Sequence, residues 1–319
     1  MIKLRDELQH VTSVAITGHI RPDGDCTGSC LAVYHYIREQ FPNIEVTVYL
    51  ELLNPSFRFL KGADEIKTEC LEDKIYDLFI SLDASDKERM GAAGKYFQSA
   101  KRTLCVDHHI TNPGFADKNW VEAKAAATAE LVFEMLEEEN ISMAAAEALY
   151  LGIAHDTGVF QYSNTTERTM QIAGKLIAKG IDFSRIIDDT FYRRTYVQNQ
   201  VLGRTLMESI LLMDGKVIVG RVRQKEMDFY GVGPKDLDGI VSQLRVTQGV
   251  EVAIFLYETN NQEFKVSLRS NGIVDVSAVC AYFGGGGHVK AAGCTMLGTM
   301  YDVVNNLTLH IEQQLLENA

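Results

Sequence analysis

The chain is short of positive charge. Its 319 residues carry 31 lysines and arginines against 43 aspartates and glutamates, a formal net charge of −12. A protein that tracks long nucleic acid along its phosphates needs a basic surface, so this balance argues against a long nucleic-acid track. It leaves room for a short phosphate-bearing substrate in a local pocket, particularly where bound cations neutralise some of the acids. Paired thiols are also missing. The six cysteines (Cys26, Cys30, Cys70, Cys105, Cys280 and Cys294) include no C-x-x-C, which fits reduced, mostly buried thiols in a cytoplasmic protein. Cys26 and Cys30 lie four apart on one helix face with no second thiol pair, and read as core. No uncharged apolar run approaches the length that spans a bilayer. The opening Met1-Ile2-Lys3-Leu4-Arg5-Asp6 lacks the apolar core of a signal peptide. Repeats and low-complexity tracts are absent. The expectation is a soluble, cytoplasmic protein without membrane contact.

What is present is enough for two packed domains: 319 residues, 46% of them hydrophobic. Ser13 to Gly18, Ile44 to Leu50, Tyr76 to Leu82 and Arg102 to Val106 read as strands, and helical spacing follows Gly28 and Ser29. Thr128–Glu139, Ala144–Ala154 and Arg168–Ala178 read as helices. Strands alternating with helices predict an α/β domain, a mostly parallel sheet flanked by helices, over 1–190. A helix over Tyr196–Leu212 predicts a connector spanning 191–213. Residues 214–319 predict a smaller α/β domain, with strands at 216–222, 250–257 and 263–268. Helices are expected there at 236–247 and 301–316. The active site is expected in the cleft between the two domains.

Four of these segments end in chemistry. His19, Asp23 and Asp25 follow the first strand, Asp83 the third, and Asp107-His108-His109 the fourth, while His155-Asp156 closes a buried helix. In an open α/β sheet such strand ends converge on one crevice. Any one cluster alone reads as a turn, a cap or a helix end. Together they put four aspartates, Asp23, Asp25, Asp83 and Asp156, at one place, a charge that two divalent cations balance and one does not. Aspartate and imidazole donors without thiolate suit Mn²⁺ or Mg²⁺, with Zn²⁺ or Co²⁺ as substitutes. Two such ions holding a bridging hydroxide clamp an in-line displacement at phosphorus, so phosphoester hydrolysis is the expected reaction class. Asp107 is expected to orient an imidazole. The Gly284–Gly287 run with His288 is expected to cradle an anion, aided by a helix opening at Val289-Lys290-Ala291-Ala292. Arg269, ending a strand, is expected to fork onto a phosphate.

These residues resemble the DHH phosphoesterase superfamily over nearly the whole chain. Its first motif, H-x-x-x-D-x-D-x-x-x-S, reads as His19, Asp23, Asp25 and Ser29. The second is Asp83, the third Asp107-His108-His109, and the fourth Asp156-Thr157-Gly158. Gly284 to His288 with Ala291-Ala292-Gly293 is similar to the signature of the accompanying C-terminal domain. The arrangement most resembles the nanoRNase/pAp-phosphatase branch. That resemblance implies one metal on His19, Asp23 and Asp83 and another on Asp25, Asp83, His108 and Asp156, with Mn²⁺ favoured and Mg²⁺ or Co²⁺ as alternatives. It places His109 on the substrate phosphate beside Asp107, and Arg269, Gly285, Gly286, Gly287 and His288 on the rest of the substrate. It implies short RNA oligonucleotides and 3′-phosphoadenosine 5′-phosphate (pAp) as substrates, and leaves a homodimer open. Two alternatives stand beside it: a phosphodiesterase of linear or cyclic dinucleotides (pApA, cyclic di-AMP), and a nucleotide-binding protein without turnover.

Overall fold

Alternation along the strands decides how the N-terminal sheet is buried. The computed structural model describes residues 2–318. In it β1 (Ser13–Thr17), β2 (Glu45–Tyr49), β3 (Leu78–Leu82), β4 (Thr103–Asp107) and β5 (Lys118–Val121) form one sheet in the order β2-β1-β3-β4-β5. Every pairing is parallel. Val14, Ile16, Ile80, Leu82, Leu104 and Val106 pack on one face with the helices Gly24–Gln40, Thr128–Met135 and Met143–Asp156. The pleat sends Ala15 and Phe79 to the other face, against Tyr49, Tyr76, Tyr96 and Phe97. The sheet is therefore covered on both sides, as parallel sheets require. Gly28 lets two of the helices touch: a Cβ there would lie 2.2 Å from the carbonyl oxygen of Ala148.

The strand order also locates the chemistry. Connections run outward in opposite directions from β1 and β3, and in such sheets ligands bind outside the carboxyl ends of the strands at that switch point. His19 follows β1 and Asp83 follows β3.

The chain divides into two compact units at Arg193/Arg194. The second unit holds a mixed six-stranded sheet, β10-β11-β9-β8-β7-β6, made of β6 (Ile210–Leu212), β7 (Val217–Val222), β8 (Val252–Asn260), β9 (Glu263–Ser270), β10 (Gly286–His288) and β11 (Ala291–Leu297). Helices Val276–Ala281 and Met300–Glu317 cover one face, and Ile240–Arg245 with Tyr196–Met207 the other. The helix expected as a connector thus packs within this unit, where Val201 is buried with Ile218, Leu244 and Phe255.

Several expectations need correcting. The helix expected to reach Leu212 stops at Met207, and Ile210–Leu212 instead pairs antiparallel with β7. The helix expected over 236–247 is split, because Gly239 adopts φ +79° between a 3₁₀ turn and Ile240–Arg245. The helix expected over 128–139 ends at Met135, where Leu136 turns extended. No helix opens at Val289. Residues 286–297 form a hairpin in which Ala292, Cys294 and Met296 alternate into the core, a period-2 burial that overrides the helical preference of alanine. Only glycine fits at Gly287, where φ is +152° and a Cβ would meet Ala291 O at 2.4 Å.

Candidate metal centre

Most side chains at the carboxyl edge are held by a hydrogen bond behind them. His19 donates from Nδ1 to the carbonyl of Ile20 (2.8 Å), which leaves Nε2 facing Asp23 Oδ2 and Asp83 Oδ2, each at 3.5 Å. Asp23 caps the Gly24–Gln40 helix with Oδ1, accepting from Asp25 N and Cys26 N at 3.0 Å, so its other oxygen is left for the site. Asp25, fully buried, accepts from Thr128 N (2.6 Å) and Ala129 N (2.9 Å) at the start of the Thr128–Met135 helix, where amides and dipole favour a negative charge. Asp83 sits in the left-handed region at φ +56° and accepts from Thr128 Oγ1 at 3.0 Å. Non-glycine residues persist in that region only where their surroundings hold them.

His108 repeats the device. Its Nδ1 donates to Ala125 O (3.3 Å), and Nε2 looks onto Asp156 Oδ2 (3.2 Å), Asp83 Oδ1 (3.6 Å) and Asp25 Oδ2 (3.9 Å). Six residues expected to bind metal therefore lie in one cluster, with Asp83 in the middle.

The electrostatics call for cations. Burial opposes charge on His19, yet Asp23 and Asp83 outweigh it and push its pKa up to about 12. Burial also opposes charge on His108, and Asp156, Asp25 and Asp83 push it up to about 10. Asp25 is driven well above the ordinary carboxylate range by burial and by Asp83 and Asp156 beside it. Burial raises Asp156 as well. Carboxylates this close ionise together only with positive charge among them. Donor atoms of Asp25, His108 and Asp156 fall within 4.8 Å of one another, as do those of Asp83, His108 and His109, and of His19, Cys26 and Asp83. The oxygen and imidazole donors fit divalent cations.

His109 stands apart from this pattern. Its Nδ1 lies 2.7 Å from Asp107 Oδ1, so Nε2 is the nitrogen left for a ligand, and the Asp107 bond raises its pKa. Asp107 is fully buried and accepts from His108 N (2.9 Å), His109 and Asn112 Nδ2 (2.7 Å). It positions His109 and is itself shut off from solvent.

Two residues of the site escaped sequence reasoning: Thr128 and Asn112. Asn112 Nδ2 also donates to Ala84 O (3.0 Å), tying the Asp83 loop to Asp107. Its one sequence signal is its place three residues after His109, close enough for a turn to fold it back.

In the second unit, Arg269 and His288 both pair directly with Ala291, from β9 and β10 respectively. Two of the glycine amides are already used: Gly284 N donates to Ala281 O (3.1 Å) and Gly285 N to Cys280 O (2.9 Å). Gly286, Gly287 and His288 are exposed. With no helix opening at Val289, the positive helix end expected beside this anion cradle does not exist. No helix among the described residues is long and apolar enough to cross a membrane.

The chain is similar to known proteins along most of its length. Residues 13–153 match the model of the DHH family, N-terminal domain, and residues 214–316 that of the DHHA1 domain. The bifunctional oligoribonuclease and PAP phosphatase NrnA of Bacillus subtilis is 26% identical over 89% of each chain. That of Mycoplasma genitalium is 30% identical, covering 90% of this chain and 89% of its own. The crystal structure of an exopolyphosphatase-related protein from Bacteroides fragilis superposes with a TM-score of 0.86 at 25% identity, over 98% of this chain and 96% of that one. The chain belongs to the DHH family and is a hydrolase of phosphoesters.

Proposed function

We propose that the protein hydrolyses short RNA oligonucleotides and pAp with two divalent cations, Mn²⁺ ahead of Mg²⁺ or Co²⁺. The observation that carries this reading is the split of Asp83: Oδ2 faces His19 while Oδ1 faces His108 and His109. A carboxylate with one oxygen toward His19 and the other toward His108 and His109 would suit a pair of ions. His19, Asp23 and Asp83 would hold one, and Asp25, Asp83, His108 and Asp156 the other. When bound, the pair supplies Lewis acidity and a water nucleophilic at neutral pH. His109, oriented by Asp107, donates from Nε2 to the substrate phosphate and steadies its developing charge. Arg269 and His288, with Gly285, Gly286 and Gly287 beside them, hold the rest of the substrate. The names of the B. subtilis and M. genitalium relatives support this substrate class, and the net charge of −12 supports short substrates over long ones.

The test is Asp83→Asn. The fold should persist, while bound Mn²⁺ falls and turnover drops by well over the roughly 10–100-fold that an outer-shell change costs. Unchanged turnover would overturn the assignment. Turnover of cyclic di-AMP in preference to pAp would promote the dinucleotide reading, and binding without any turnover the nucleotide-binding one.

A further inference from the structure

Asn164 lies outside every motif, in the loop after the Met143–Asp156 helix. Its side-chain nitrogen donates to two backbone carbonyls at once, Asp156 O at 3.0 Å and Ala126 O at 3.1 Å. Both partners are acceptors, which fixes the orientation of the amide. One carbonyl belongs to a proposed ligand and the other to the segment that anchors a second ligand. Asp156 is the acid that meets His108 at 3.2 Å. Ala126 follows Ala125, whose carbonyl anchors the His108 ring. Ala126 N is held by Glu130 Oε2 (3.1 Å), and Asn164 holds the next peptide through Ala126 O.

The loop that brings Asn164 back is costly. Gly158, Val159 and Phe160 all take positive φ, at +55°, +56° and +64°. A β-branched valine and a phenylalanine rarely adopt that conformation. The reversal is closed by Val159 N to Ala154 O (2.7 Å) and Tyr162 N to Thr157 O (2.9 Å), and it delivers Asn164 onto Asp156. Strain of this kind survives where the result is used.

We propose that Asn164 is a positioning residue for the second cation. It fixes the separation of Asp156 and His108, two ligands that loop freedom would otherwise let drift. The proposal rests on the two-cation reading. Asn164 is exposed, so removing its side chain leaves the core intact.

The experiment uses the full-length protein stripped of metal and titrated with Mn²⁺, free ion being followed by electron paramagnetic resonance. Wild type is compared with Asn164→Ala, Asn164→Gln and the isosteric Asn164→Asp, which sets an acceptor against two carbonyls. Thermal unfolding of the metal-free proteins is recorded alongside. The expected result is two sites in wild type, with one weakened about 10–100-fold in Asn164→Ala and Asn164→Asp. The other site keeps its affinity, Asn164→Gln recovers part of the loss, and the metal-free melting temperatures stay together. Excess Mn²⁺ should restore kcat in the alanine variant. Two wild-type affinities in all variants would overturn the proposal, as would a drop in metal-free stability with Mn²⁺ binding per folded molecule unchanged. Fewer than two sites in wild type would instead overturn the two-cation reading itself.

Discussion

Arg269 and His288 stand on either side of Ala291 in one row across three strands, each paired directly with it. Directly paired residues in antiparallel strands project to the same face, so the guanidinium and the imidazole share a face with only a methyl group between them. Under the proposed function, a phosphate of the substrate would sit against this row. Ala291→Leu should obstruct it, and Arg269→Ala should remove a charged donor worth about 1.5–3 kcal/mol. Both variants should raise KM for a trinucleotide roughly 10- to 100-fold while Mn²⁺ content stays at the wild-type level. Equal loss of metal would contradict the role given to this row.

At the opposite ends of the strands, Asp77 ties β1 to β3. It accepts from Thr12 N (2.8 Å), Thr12 Oγ1 (2.7 Å), Ser13 N (3.2 Å) and Lys101 Nζ (2.7 Å). Lys101 and Thr12 hold its carboxyl below the usual carboxylate range. A group whose folded pKa is depressed stabilises above its unfolded value of about 4 and loses that contribution as pH falls. The melting temperature of Asp77→Asn should therefore lie below wild type at neutral pH, and the gap should narrow as the pH drops below about 4. Turnover at neutral pH should be unchanged. A gap independent of pH would show that the ion pair is not its source.

The strand-end chemistry was legible because each β-branched or apolar run in the first unit stops abruptly at polar side chains, and a parallel sheet sends all such ends to one edge. His19, Asp83 and His108 meet for that reason. Thr128, Asn112 and Asn164 were not legible, since each acts through a backbone group or a carboxylate that only the folded chain brings near. The edge strand Lys118–Val121 left no trace because its residues are largely exposed and show no alternation. At Val289 the alanines suggested a helix, whereas the buried face of β11 required a strand. In the second unit, Gly239 broke one helix and the edge pairing of Ile210–Leu212 ended another. Both depend on neighbours distant in sequence.

The most direct measurement is product release from a 5′-labelled RNA ladder of two to about twenty nucleotides, with pAp in parallel, under Mn²⁺ and under chelator. The acidic surface and the paired clusters around Asp83 lead to one expected result. The shortest oligomers and pAp are hydrolysed only with metal, and long RNA is spared because the net charge of −12 opposes its phosphates. Robust digestion of the longest RNA, or turnover that survives the chelator, would contradict the account.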